Sequence, residues 1–129
     1  MIFFDTESVG KTGPLVLIQW MNLPDKGRDF LCGDQYGRDT YIHDVWKMPV
    51  DTTLNLIKSF TEDEVVGFNL VHDWFVLTKW YNIFSKIGDK NGPPDSSEVR
   101  RIEAAGPQPG DVCLKPRSSC DLMLKARTG

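Results

Sequence analysis

The sequence predicts an α/β domain built on a mixed sheet, and three observations carry that expectation. Apolar runs of strand length alternate with segments whose apolar residues recur at helical spacing. The first two runs are joined by a short loop rich in turn residues, which suits an antiparallel pair. A strand–helix–strand crossover follows, and such a crossover adds a parallel strand to the same sheet.

Ile2 to Thr6 is short and apolar and ends in polar residues, as a buried strand does on leaving the core. Ser8-Val9-Gly10-Lys11-Thr12-Gly13-Pro14 is turn chemistry, and Leu15 to Met21 is the near-continuous apolar run of a central strand. A third strand falls within Asp29 to Asp44, at Phe30-Leu31-Cys32 or Thr40-Tyr41-Ile42-His43, with Gln35-Tyr36-Gly37-Arg38 as a turn between them. Asp51 stands as the cap of a helix running to about Phe60, with Leu54 and Ile57 at helical spacing. Glu64 to Phe68 reads as a short strand. Asn69 stands as the cap of a long helix to about Ile87, with Leu70, Trp74, Leu77, Tyr81 and Phe84 on one face. Residues 88–116 are rich in proline and glycine and form a long connection around a short helix, Ser97 to Ala105. Ser119 to Arg127 reads as the opening of a further helix, capped by Ser119 or Asp121.

A chain of 129 residues with 40% hydrophobic and 26% charged residues is ordinary for one soluble domain. No apolar run approaches the roughly 20 residues that cross a bilayer. With Asp5 so near the terminus, no basic and then apolar leader can be read, and the expectation is a cytoplasmic protein, or a viral one acting in a host cell. Cys32, Cys113 and Cys120 are an odd number without paired short spacing, which speaks for reduced packing residues. A net charge of −3 counts against a broad basic face for nucleic acid. It leaves open a site that meets phosphate through bound cations, since such a site needs clustered acids.

Asp5-Thr6-Glu7 supplies that chemistry. Alternation along a strand sends both carboxylates to one face, about 7 Å apart. Acids that close repel unless a cation lies between them, and oxygen donors favour a hard ion such as Mg²⁺ or Mn²⁺. Alone, the pair is what any solvated strand end produces, but Ile2-Phe3-Phe4 places it where a buried strand leaves the core. The second element is Gly67-Phe68-Asn69-Leu70-Val71-His72-Asp73, a strand-to-helix junction with Asp73 one turn into the helix. There a carboxylate stands near the positive end of the helix dipole, although an acid in a first turn is also common without function.

The two elements together resemble the DEDD family of 3′–5′ exonucleases, which includes proofreading domains of DNA polymerases and ribonuclease D. Phe4-Asp5-Thr6-Glu7 looks like the first exonuclease motif, Leu15 to Trp20 like the strand that follows it, Val65 to Asp73 like the second motif, and Cys120-Asp121-Leu122-Met123 like the strand-to-helix segment before the third. Phe68 stands where the family often has His, and His72 where it often has an aromatic residue. The third motif, a Tyr or His four residues before the last Asp, does not occur after Gly88. The resemblance implies an RNase H-like fold truncated at its C-terminus, an N-terminal piece of a longer exonuclease or polymerase. It also implies two divalent ions, Mg²⁺ or Mn²⁺, and single-stranded DNA or RNA as substrate. By the same resemblance Asp5 bridges both ions, Glu7 holds the nucleophile-side ion and Asp73 the leaving-group side. Thr6 offers its backbone amide to the substrate's 3′ end, and Asn69 touches the substrate backbone or simply caps its helix. Asp121 is not a metal ligand in the family. Two rival readings stay open: a fragment that binds single strands without cutting them, and another RNase H-like nuclease such as a resolvase or transposase core.

The remaining candidates weigh towards structure. His72 reads as a partly exposed side chain pointing away from Asp73, because adjacent helical residues diverge by about 100°. His43 has no Cys or His partner at ligand spacing. Trp20 and Trp74 fit core positions, while Trp46 and Trp80 fit either packing or base stacking. Arg100, Arg101, Lys115 and Arg117 could meet phosphates, though charges of this kind are mostly solvated. Gly10-Lys11-Thr12 lacks the upstream glycine of a phosphate-binding loop.

Overall fold

A computed structural model describes residues 1–10, 13–22 and 40–122. The expected strand at Phe30-Leu31-Cys32 and the turn at Gln35 to Arg38 lie outside them. Five strands, β1 (Ile2–Ser8), β2 (Leu15–Asn22), β3 (Thr40–Asp44), β4 (Glu64–Gly67) and β5 (Ser118–Asp121), form one mixed sheet in the order β3-β2-β1-β4-β5. β1 pairs antiparallel with β2 and β2 antiparallel with β3, whereas β1–β4 and β4–β5 are parallel. Among the described residues three helices accompany it: α1 (Val50–Phe60), α2 (Leu70–Ser85) and α3 (Ser96–Ala105). The described residues thus form a small α/β domain with a five-stranded mixed sheet and flanking helices. None of these helices is long and apolar enough to cross a membrane.

Alternation divides the sheet. Ile2 and Phe4 of β1 are buried on the face that receives α1 and α2, where Phe4 stacks on Phe60 and meets Trp74 edge-on. Burying aromatic and aliphatic side chains of this size is worth about 1.5–3 kcal/mol each, which makes this layer the main source of stability. Trp80 and Phe84 extend it along α2. Trp46, half-buried, lies edge-on to Phe84 and donates its Nε1–H to the Leu15 carbonyl at 2.8 Å, so Trp46 and Trp80 both serve packing. His43 is buried and bonded through Nε2 to Thr53 Oγ1 at 2.7 Å, tying β3 to α1, and burial lowers its pKa.

Four local expectations are corrected. α1 begins at Val50 behind Pro49, not at an Asp51 cap; its Val50 and Asp51 N–H groups donate to the carbonyls of Gly92 and Lys90. Those carbonyls satisfy donors that a helix start otherwise leaves orphaned. α2 turns a different stripe inward from the one expected, with Asp73, Val76, Trp80 and Ile83 joining Leu70, Leu77 and Phe84, while Trp74 and Tyr81 are only half-buried. A helix apolar on most of its circumference does not announce its inner face by spacing alone. Residues 118–121 form the edge strand β5, since parallel pairing with β4 offers their backbone a ladder, so no helix opens at Ser119. Leu122, directly after Asp121, is helical, and the rest of the expected helix, 123–127, lies outside the described residues. Asn69 precedes α2 as expected but makes no side-chain cap: it is left-handed, with φ 60° and ψ 52°.

Residues 88–116 are held at several points. Asp95 caps α3 by accepting from Ser97 N–H at 3.1 Å, Asn82 exchanges two 2.9 Å hydrogen bonds with the backbone of Val112, and Lys86 meets Asp111 at 2.7 Å.

Candidate metal centre

The predicted site residues gather where the parallel strands end. β1 pairs with β4 only at Ile2–Val65 and Phe3–Val66, so from Asp5 onward this edge of β1 is free of β4. β4 stops at Gly67 and the chain turns into α2, whose first turn stands beside that edge. A Cβ on Gly67 would lie 2.5 Å from Leu70 Cδ2 and 3.2 Å from the Phe4 carbonyl oxygen, so the turn requires glycine. The crevice outside the carboxyl ends of such strands is where α/β sheets place ligands.

Asp5 and Glu7 share one face of β1 and are exposed, as alternation demands. Thr6 projects to the other face, where its hydroxyl donates to Asp73 Oδ1 at 2.6 Å. Asp73 is 3% exposed. Its second oxygen, Oδ2, is buried without a hydrogen-bond partner. Burial is the main reason its pKa rises from 3.8 to about 6; the Thr6 hydroxyl opposes the rise, nearby Asp5 adds to it, and His72 opposes it. A buried carboxylate oxygen with no donor is costly in its charged form, so this atom calls for a proton or a cation.

The structure therefore brings Thr6 and Asp73 into contact and Asp5 into electrostatic reach of Asp73, and leaves Glu7 on the far face beside Asp5. Among the described residues no three His, Cys, Asp or Glu side chains form a group that could hold a metal ion together. The donor chemistry suits a hard cation, and the orphaned Asp73 Oδ2 fits one, but the three acids do not enclose a single shell as they stand.

Asn69 is exposed at the turn with its side chain free of a capping role. The cap comes instead from Asp121 on β5, whose Oδ1 accepts from Asn69 N–H at 3.0 Å and Oδ2 from Leu70 N–H at 2.9 Å. Sequence reasoning missed this role, because nothing local marks Asp121 as a partner for residues about fifty positions earlier. The strand-to-helix segment that the family resemblance gives at Cys120 to Met123 is the signal that points to it, once that strand is set in register with β4. His72 is exposed, as are Arg100, Arg101, Lys115 and Arg117. Away from this site, a cleft of about 530 Å³ lies between α2 and α3 and includes Phe75, Ile83, Ile102 and Pro107.

Comparison with protein-family models, with curated proteins and with solved structures finds no match to this chain.

Proposed function

We propose that this domain is a metal-dependent 3′–5′ exonuclease module of the RNase H-like type, acting on the 3′ end of single-stranded nucleic acid, DNA in the proofreading part of a polymerase. The observation that carries the reading is Asp73, a buried carboxylate with one oxygen held by Thr6 and the other unpartnered, within electrostatic reach of Asp5. Antiparallel first strands followed by a parallel crossover, with the acids at the carboxyl ends of β1 and of the β4–α2 turn, support the same reading.

In this proposal Asp5, Glu7 and Asp73 would hold two divalent ions, Mg²⁺ or Mn²⁺. Such ions supply charge for activating water and for stabilising the departing 3′ oxygen. The chain's own part is to position. Thr6 fixes the rotamer of Asp73 through its hydroxyl and presents its backbone beside the two acids of β1. Asn69, exposed at the turn, would meet the substrate backbone. No acidic residue follows Asp121 in the sequence, so a fourth carboxylate of the family pattern is not among the 129 residues. A second reading, favoured because no three acidic, His or Cys side chains among the described residues form a group that could hold a metal ion, is a module that binds single strands without cutting them.

Digestion of a 5′-labelled single strand with Mn²⁺ tests the proposal. A ladder of products shortened one nucleotide at a time, absent from Asp5→Ala and Asp73→Ala, is the expected result. Strand binding without cleavage by the folded chain would favour the second reading. Internal nicking would point to the resolvase-type alternative.

A further inference from the structure

We infer that Asp121 is a positioning residue for the Asp73 carboxylate, acting through the first turn of α2; the inference rests on Asp73 being a metal ligand. The Asp121 carboxylate uses both oxygens on successive backbone donors, Asn69 N–H at 3.0 Å and Leu70 N–H at 2.9 Å. Two bonds from one planar group fix a direction as well as a distance, so they set how α2 leaves the sheet. The carboxylate is itself held in register, since Asp121 pairs with Gly67 in the β4–β5 ladder.

From this clamp to the site is one helical turn. The Asn69 carbonyl accepts from His72 N–H at 3.1 Å and from Asp73 N–H at 3.5 Å, which carries the fixed start of α2 directly to Asp73. On its other side Asp73 receives the Thr6 hydroxyl at 2.6 Å. The first turn of α2 is thus pinned to β5 by Asp121 and to β1 by Thr6, with Asp73 between the two pins. Left-handed Asn69 and close-packed Gly67 make the sharp reversal that the clamp locks. An ordinary N-cap would satisfy orphan donors from within its own turn. Here the acceptor comes from a separate strand, so it also couples the sheet's parallel edge to the placement of Asp73.

The test is a double-mutant cycle in the full chain, read by urea unfolding, with Asp121→Asn, Thr6→Val and the two combined. Asn keeps one acceptor oxygen and loses the other. If Asp121 delivers Asp73 to Thr6, the loss in unfolding midpoint for the double variant is smaller than the sum of the single losses. Additive losses would overturn the inference. Asp121→Ser, which keeps one acceptor, replaces Asp121→Asn in the cycle should the latter not fold. Mn²⁺ binding gives the second readout. Asp121→Asn is expected to raise the Mn²⁺ concentration for half-saturation about tenfold, as loss of a partner that orients a ligand does. Val99→Ala, which removes a buried contact of α3, lowers the unfolding midpoint but leaves Mn²⁺ binding unchanged. Equal Mn²⁺ affinity in Asp121→Asn and the unsubstituted chain would overturn the inference. Failure of the unsubstituted chain to bind Mn²⁺ would instead sink the metal reading, while the cycle still decides whether Asp121 positions Asp73.

Discussion

Replacing Asp73 with asparagine should remove a pH dependence of stability whose size follows from the burial of this one carboxyl. Asp73 titrates at about 6 in the fold against 3.8 for an ordinary aspartate. That difference corresponds to about 3 kcal/mol, taken as an upper figure. The sign follows from which state binds the proton more tightly. The folded pKa is raised, so the stabilisation is fully present below pH 3.8 and is lost as pH rises through about 6. At pH 7.5 the fold therefore carries a charged, half-satisfied carboxylate in a buried position. The Asp73→Asn side chain would keep an oxygen to accept from Thr6 and cannot ionise. Urea midpoints measured for both chains from pH 4 to pH 7.5 isolate the effect, because every other titrating group, His43 included, is common to the two. The two stability profiles should diverge by about 2–3 kcal/mol across that window, a shift of roughly 1–3 M urea in midpoint at ordinary slopes. Profiles that run parallel would refute the claim that Asp73 is buried and strained by its charge. Millimolar Mn²⁺ at pH 7.5 should restore stability to the unsubstituted chain and not to the variant.

Other changes follow from the same geometry. Asn69→Gly should leave the unfolding midpoint within about 0.5 kcal/mol, because glycine tolerates the left-handed backbone, whereas Asn69→Ala should cost about 1–2 kcal/mol by urea titration. If Asn69 also meets the substrate, the glycine variant should bind single strands more weakly at unchanged stability, measured by fluorescence anisotropy. Gly67→Ala should cost about 1–3 kcal/mol, since the added methyl meets buried Leu70 and the Phe4 carbonyl; an unchanged urea midpoint would count against the packing of the β4–α2 turn. Thr53→Val should cost about 1–3 kcal/mol by leaving the buried His43 ring nitrogen without its partner, with thermal unfolding as the check.

What is legible in the sequence is local, and what it hides is long-range. Strands such as Leu15 to Asn22 and helices such as Val50 to Phe60 announce themselves through apolar spacing over a few residues. The side-chain alternation that puts Asp5 and Glu7 on one face is likewise a property of one strand. The helix starts mislead for a common reason. Both α1 and α2 are capped from afar, α1 by the Gly92 and Lys90 carbonyls and α2 by Asp121, so residues at the starts themselves carry no reliable cap signal. β5 misleads because Ser118-Ser119-Cys120-Asp121 has little apolar character and owes its conformation to β4 beside it. In the site, the proximity of the two acidic motifs follows from their places at strand ends. The Thr6–Asp73 contact does not, because it depends on how α2 is rotated, and Leu70, Trp74, Leu77, Tyr81 and Phe84 point to a different inner stripe.

The central claim is that Asp5 and Asp73 together receive a divalent cation, and anomalous diffraction from crystals grown with Mn²⁺ tests it most directly. The account predicts an anomalous peak within bonding distance of Asp73 Oδ2 and an Asp5 carboxylate oxygen, and no such peak in Asp73→Asn. Full Mn²⁺ exposure with no peak at these carboxylates, or a peak unchanged in Asp73→Asn, would contradict it.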